Sequence, residues 1–170
     1  IPHLPLQAPK KWVDYYKKKF GNEKPYLGEK SYFPHQNPRA AYAAMVSYLD
    51  ENIGKLVQQL KDKGIYDNTL IVFTSDNGPS YAGGADPVLL ESAKPFNGEY
   101  GRGKGFLYEG GIRVPMIASW PAKIKPGTTS DLISAHYDML ATFTDVARYE
   151  NTIDTDGISM LPTLLSEENQ

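Results

Sequence analysis

The chain has 170 residues, a length suited to one domain with a core of its own, and its formal net charge of -2 gives no electrostatic basis for nucleic-acid binding. It contains no cysteine, which excludes disulfides, thiolate metal sites and a cysteine nucleophile within these residues. No apolar run approaches the roughly 20 residues that a membrane span requires.

The first part of the chain predicts two helices separated by a loop. Residues 9–20 predict a short helix with an aromatic packing side and a lysine-rich outer face, and the glycines and prolines of 21–38 indicate a loop. A longer helix is predicted over 39–63, with Gly64 as its stop. Its apolar residues recur at steps of three and four: Met45, Leu49, Ile53, Leu56 and Leu60.

Two apolar strands and a third helix follow. Residues 69–74 are apolar without alternation, which predicts a strand covered on both faces. Residues 113–120 predict a second strand, in which Pro115 indicates either an edge strand or an irregular start. Residues 137–149 predict a helix. The inward positions of that helix are Leu140, Phe143 and Val146. Because a helix followed by a strand across a short link is half of a βαβ unit, the sequence predicts an α/β fold.

The stretch FTSDNGPS, residues 73–80, carries the first candidate site. Asp76 and Asn77 directly follow the first predicted strand, and open α/β sheets bind ligands beyond the carboxyl ends of their strands. Adjacent strand residues point to opposite faces, so these side chains converge on one ion only if the chain bends, as Gly78 and Pro79 allow. Their oxygens suit Ca²⁺ or Mg²⁺. Two ligands are too few to enclose a metal ion, and a plain turn without a metal explains the same residues.

The glycine-rich stretch 98–115 carries the second candidate residue. Lys104 lies between Gly103 and Gly105, where missing side chains let a ligand approach the backbone and leave the ammonium uncovered. An ammonium is a compact charge that suits an oxyanion. The segment is not a phosphate-binding P-loop, because Gly105 replaces the required hydroxyl residue and no strand precedes it. A flexible loop with a solvated lysine is the alternative.

The segment IPHLPL places His3 between two prolines, Pro2 and Pro5, which stiffen an extended chain. An imidazole there can offer an N–H to an oxyanion or a proton to a leaving group. A terminal histidine without a role explains the same pattern, and no role is assigned to His35 or His136.

Several stretches taken together resemble a known family. PHLPLQAP, LDENIGKLVQQLKDKGIYDNTLIVFTSDNG and GKGFLYEGGIRVPMIASWP occur in this order, followed by DMLATFTDVA and DGISMLP. The chain closely resembles the type I sulfatases, the arylsulfatase family of the alkaline phosphatase superfamily. The resemblance covers nearly all 170 residues.

This resemblance implies an α/β fold with a large mixed sheet and helices on both faces, in which residues 1–170 belong to the C-terminal part of one catalytic domain. It implies hydrolysis of sulfate esters, of a sulfated carbohydrate or an aryl sulfate. Asp76 and Asn77 match one pair of the family's Ca²⁺ ligands. Lys104 matches the lysine that holds the sulfate, and His3 matches the histidine that contacts the sulfate near the leaving oxygen.

The chain also departs from the family pattern. The family's nucleophile is a formylglycine made from Cys or Ser in a C/S-x-P-x-R motif, and the nearest match here, SWPAK at 119–123, has Lys123 in place of arginine. That motif and two further metal-binding aspartates lie upstream of the PHxP segment in the family. We therefore expect an internal piece of a longer sulfatase that is inactive alone. The resemblance leaves the compartment open among periplasmic, secreted and lysosomal.

Two other readings stay open. A phosphoryl or phosphonate ester hydrolase of the same superfamily is one, although three scattered histidines suit a two-zinc site poorly. A sulfated-glycan binder without activity is the other. We expect the loop 81–100 to shape the leaving-group pocket.

Overall fold

The computed structural model describes residues 2–85, 90–96, 102–150 and 154–166. These residues contain five helices and two short strands. In chain order the elements are α1 (Lys10–Phe20), α2 (Pro38–Asp62), a 3-10 turn (Tyr66–Asn68), β1 (Ile71–Thr74), α3 (Glu109–Ile112), β2 (Met116–Ser119), α4 (Asp138–Val146) and α5 (Leu161–Leu164). None of the helices within these ranges is long and apolar enough to cross a membrane.

The chain divides into two compact units. The first comprises residues 1–59 and 73–116, and the second comprises residues 60–72 and 117–170. That residues 1–170 form one domain stays a prediction.

The long helix α2 confirms the predicted helix over 39–63 and shows why it starts and stops where it does. Both carboxylate oxygens of Glu23 accept hydrogen bonds from the first turn, from the Arg39 and Ala40 backbone N–H groups at 2.7 and 3.1 Å. These bonds satisfy donors that have no partner inside the helix. At the other end Gly64 has φ +67°, and Gly64 and Ile65 donate to the carbonyls of Lys61 and Leu60. This is the glycine stop that the sequence predicts.

The buried face of α2 consists mainly of alanines, with the larger side chain of Met45 among them. Ala41 and Met45 pack with Leu6 in the core of the first unit, and Ala40 and Ala44 are fully buried. Leu56, one of the apolar residues at steps of three and four by which the sequence predicts this helix, has an exposed side chain. Alanines let a neighbouring segment approach the helix axis closely. The contact with the segment of Leu6 accordingly lies on the first half of α2.

Helix α1 is joined to α2 through Glu51. The Glu51 carboxylate accepts hydrogen bonds from the Lys11 and Lys55 ammonium groups and from the Trp12 indole, at 2.6, 2.8 and 2.8 Å. These donors, the Lys11 ammonium foremost, lower the pKa of Glu51 to about 2.

Glu51→Gln is therefore expected to lower the melting temperature at pH 7 and to have little effect near pH 2. The folded-state pKa lies below the ordinary value of 4.5, so the contribution of Glu51 is complete above that value and is lost as the pH falls towards 2. Melting curves from pH 2 to 7 measure the difference, with Asp50→Asn on the same helix as control. A constant difference at every pH would contradict the assignment.

Strands β1 and β2 are neighbours in a two-stranded sheet. β2 begins at Met116, directly after Pro115 and three residues later than the start at 113 that the sequence predicts. The prediction that the first strand is covered on both faces is wrong for the described residues, because β1 is only partly buried and Phe73 is 37% exposed.

Helix α4 confirms the predicted helix over 137–149 but not its predicted packing face. Leu140 and Phe143 are exposed, whereas Asp138 and Thr142 are buried. The Asp138 carboxylate accepts hydrogen bonds from the Ala135 and Ile158 backbone N–H groups at 2.7 and 2.9 Å. The buried polar side chains of α4 bind the backbone of the segment before α5. The spacing of apolar residues gives no sign of this contact.

Candidate active site

A cavity of about 710 Å³ lies within the first unit, at the carboxyl end of β1. Its lining includes all four residues singled out from the sequence, His3, Asp76, Asn77 and Lys104. These residues are up to 101 positions apart in the chain. The fold therefore brings together three segments that are distant in the sequence.

The turn after β1 holds the side chains of Asp76 and Asn77 on the cavity wall. The Ser75 hydroxyl donates to the Asn77 carbonyl at 3.0 Å, and the Asn77 amide nitrogen donates to the Gly78 carbonyl at 2.9 Å. Because the amide nitrogen is used in this way, the carboxamide oxygen of Asn77 is left as an acceptor. Asp76 is exposed. Two hard oxygen donors thus line the same cavity.

Backbone hydrogen bonds join this turn to the segment that carries Lys104. The Gly78 N–H donates to the Gly111 carbonyl at 2.9 Å, and the Lys104 N–H donates to the Pro79 carbonyl at 2.9 Å. Both bonds are of ordinary length. The position of Lys104 relative to Asp76 is therefore set by the main chain.

The glycines of both segments make this close approach possible. A Cβ on Gly78 would lie 1.9 Å from the Gly110 carbonyl oxygen, and one on Gly103 would lie 2.3 Å from the Pro79 carbonyl oxygen. A Cβ on Gly111 would lie 2.1 Å from the Phe106 carbonyl oxygen. Such distances are impossible for any other residue without movement of the backbone. We call Gly78, Gly103, Gly110 and Gly111 the glycine junction.

The side chains of Lys104 and His3 are exposed in the cavity wall. The ring Nδ1 of His3 lies 2.7 Å from the Leu4 carbonyl oxygen, to which it can only donate. Nε2 is therefore the ring nitrogen left for a ligand.

Two further cations line the cavity, Lys94 and Arg113, and neither is singled out by the sequence. Arg113 lies in the quoted stretch GGIRVP, whereas Lys94 has no signal beyond the proline that follows it. The cavity also contains Tyr42, whose pKa is raised by burial against a smaller opposing effect of its hydrogen bond to Ser92. Its hydroxyl is thus a donor at neutral pH.

Within residues 2–85, 90–96, 102–150 and 154–166, no group of three histidine, aspartate or glutamate side chains could hold a metal ion. Asp76 is the carboxylate among the described residues that line the cavity, and Asn77 adds a carboxamide oxygen beside it. Of the loop expected to shape a leaving-group pocket, residues 86–89 and 97–100 lie outside the described residues.

In open α/β sheets ligands bind beyond the carboxyl ends of the strands, which is where these residues lie. Comparison with known proteins identifies the family. The sulfatase family profile matches residues 2–149, so the chain belongs to the sulfatase family. The uncharacterized sulfatase YdeN of Escherichia coli is 34% identical over 96% of this chain and 25% of its own length. The N-acetylglucosamine-6-O-sulfatase of Bacteroides thetaiotaomicron is 40% identical over 74% of this chain and 20% of its own length. The chain thus spans about a quarter or less of these relatives.

Solved structures confirm the fold class. One protein, solved in complex with its substrate D-glucosamine-2-N,6-O-disulfate, is 37% identical and superposes with a TM-score of 0.60 over 78% of this chain and 24% of its own. A phosphonate monoester hydrolase from Silicibacter pomeroyi is 26% identical, with a TM-score of 0.61 over 98% of this chain and 32% of its own. The chain has the α/β fold of the alkaline phosphatase superfamily.

Proposed function

We propose that this chain contributes the sulfate-binding and metal-binding side of an active site that hydrolyses sulfate esters. The observation that carries the proposal is the shared cavity, whose wall holds Lys104, His3, Asp76 and Asn77. Backbone hydrogen bonds join the segment of Lys104 to the turn of Asp76 and Asn77. The sulfatase family profile supports the reaction class.

In this proposal Asp76 and Asn77 hold a divalent cation, Ca²⁺ in preference to Mg²⁺. The donor set fits, because a carboxylate and a carboxamide oxygen are hard ligands and the hydrogen bond to Gly78 leaves the Asn77 oxygen as an acceptor. A bound cation would supply positive charge beside the sulfate oxygens. Ca²⁺ takes about six to eight oxygen ligands, so these two residues contribute only part of the set.

Lys104 and His3 act on the sulfate ester itself. The Lys104 ammonium binds sulfate oxygens as a point charge, and its main chain is fixed to Pro79, so little reorganisation is needed as charge develops. When the His3 imidazole is protonated, Nδ1 still donates to Leu4 and Nε2–H can give a proton to the leaving oxygen. These groups bind, orient and protonate, and none of them attacks sulfur.

The attacking group is not found among these 170 residues, which contain no cysteine and match the family's formylglycine motif only as SWPAK, with Lys123 at the arginine position. Orientation lowers a barrier only when a nucleophile is present. The chain by itself is therefore proposed to be inactive.

The substrate class that we propose is a sulfated sugar. The support is the N-acetylglucosamine-6-O-sulfatase of Bacteroides thetaiotaomicron and the solved complex with D-glucosamine-2-N,6-O-disulfate. Phosphonate ester hydrolysis is the second candidate, because the Silicibacter pomeroyi enzyme shares the fold over nearly the whole chain.

Asp76→Ala in the gene product that contains this chain tests the proposal. We expect kcat/KM for a sulfate ester to fall about 100-fold or more, and the Ca²⁺ concentration for half-maximal activity to rise, since a charged ligand is lost. Asp50→Ala, an exposed carboxylate on α2, is the matched control. Unchanged activity and an unchanged metal requirement in Asp76→Ala would contradict the assignment.

A further inference from the structure

The cavity concentrates positive charge in a chain that has more acidic than basic residues, 20 Asp and Glu against 18 Lys and Arg. Among the described residues that line it, three are basic, Lys94, Lys104 and Arg113, and one is a carboxylate, Asp76. If Asp76 binds a metal ion, the excess of positive charge becomes larger. One sulfate monoester carries a single negative charge, which Lys104 and a cation held by Asp76 and Asn77 would already balance.

Of the two cations that the proposed reaction does not use, one stacks on an aromatic ring and the other is close to that aromatic residue in sequence. The Arg113 guanidinium carbon is 4.3 Å from the centroid of the Phe96 ring, and Lys94 precedes Phe96 by two residues. Stacking on the ring face fixes the plane of the guanidinium, while its edges stay available for hydrogen bonds. Phe96 lines the cavity with both cations. These three residues form one wall, which we call the Phe96 wall.

Both cations have carboxylate partners that a ligand can displace. Lys94 lies 2.6 Å from Glu91, with side chains 64% and 59% exposed, and Arg113 lies 3.1 Å from Glu109, with side chains 60% and 58% exposed. Ion pairs this exposed are weak. Glu91 and Glu109 do not line the cavity. Arg113 uses one of its five N–H donors in the pair, so others remain for an anion inside the cavity.

We propose that the Phe96 wall is a second anion subsite, in which Lys94 and Arg113 recognise a second negatively charged group, a sulfate or a carboxylate, on the same sulfated sugar. This inference rests on the proposed function, because it assumes that Lys104 binds the sulfate to be hydrolysed. Lys94 and Arg113 are specificity-determining residues here and touch no reacting atom. The substrate class thereby narrows from sulfated sugars to sugars with two or more anionic groups.

Binding titrations of the chain, followed by amide chemical shifts, test the subsite with two probes, glucosamine 6-O-sulfate and glucosamine-2-N,6-O-disulfate. We expect the disulfate to bind about three- to tenfold more tightly, as one additional charge pair would give. Lys94→Ala should remove that preference without changing affinity for the monosulfate, and Lys94→Arg should retain most of it. Glu91→Gln, which removes the competing carboxylate, should increase the preference.

Two further variants separate the subsite from the proposed function: Lys104→Ala tests the proposed function, and Lys18→Ala is the control for loss of a surface charge. Lys104→Ala should weaken binding of both sugars, and Lys18→Ala, an exposed lysine on α1, should change neither. If Lys104→Ala weakens both sugars but Lys94→Ala leaves the preference intact, the subsite is wrong and the proposed function stands. If Lys104→Ala has no effect on the monosulfate, the proposed function fails. Equal affinity of the wild-type chain for the two sugars, including no measurable binding of either, overturns the subsite.

Discussion

Lys104→Ala is expected to lower kcat/KM for sulfate ester hydrolysis by about 10²–10³ in the gene product that contains this chain, the usual cost of losing one preorganised donor. The sulfate gathers negative charge as the S–O bond breaks, so a fixed ammonium stabilises the transition state more than the ground state. The melting temperature should change little, because the Lys104 side chain is exposed and its main-chain bond to Pro79 does not depend on the side chain.

Lys104→Arg is expected to restore only part of the activity, because a planar fork does not reproduce a point charge beside Gly103 and Gly105. Lys18→Ala is the matched control for loss of a surface charge. Kinetics and melting curves of the three variants measure the effect. Normal turnover in Lys104→Ala would remove this residue from the active site.

Gly78→Ala is expected to destabilise the protein by about 2 kcal/mol or more and to reduce activity by about 10²-fold beyond any loss of folded protein. The added Cβ would lie 1.9 Å from the Gly110 carbonyl oxygen, so one of the two backbone segments has to move. That movement breaks the bond from Gly78 to Gly111 and displaces Lys104 from Asp76. Denaturant melts and kcat/KM on the folded fraction separate the two effects.

Gly54→Ala is the matched control, because a Cβ there meets no atom within 4 Å and Gly54 lies inside helix α2. Replacing glycine by alanine at an open helix position stabilises by roughly 0.5–1 kcal/mol. The two substitutions should thus have opposite signs. A Gly78→Ala variant as stable and active as Gly54→Ala would show that the glycine junction does not position the site.

The helices could be predicted from the sequence because their signals are local. The step of three and four residues in α2, with Gly64 after it, is a property of neighbouring residues and does not depend on the rest of the fold. The buried carboxylate of Asp138 could not be predicted, since its partner Ile158 is 20 residues away in irregular chain. The exposure of Phe73 was missed because an apolar run predicts a strand but not how many neighbours the strand has.

The candidate site residues could be selected from the sequence, but their positions relative to one another in the fold could not be predicted. Asp76, Asn77 and Lys104 stand out by turn chemistry and flanking glycines, and the family resemblance gives them roles. The backbone contacts that bring Gly78 to Gly111 and Lys104 to Pro79 are long-range and carry no local pattern beyond the glycines themselves. Lys94 was missed for the same reason, because an exposed lysine in a loop has no signal until the loop is folded beside the cavity.

The central claim is that Lys104, His3, Asp76 and Asn77 form the sulfate side of a hydrolytic site, and substrate preference tests it most directly. The measurement is kcat/KM of the gene product that contains this chain, for 4-nitrophenyl sulfate and for the phenylphosphonate ester of 4-nitrophenol. It is made on the wild-type protein and on Asp76→Ala. The predicted result is a higher kcat/KM for the sulfate ester, lost in Asp76→Ala. A higher kcat/KM for the phosphonate ester, or sulfate release that Asp76→Ala leaves unchanged, would contradict the claim.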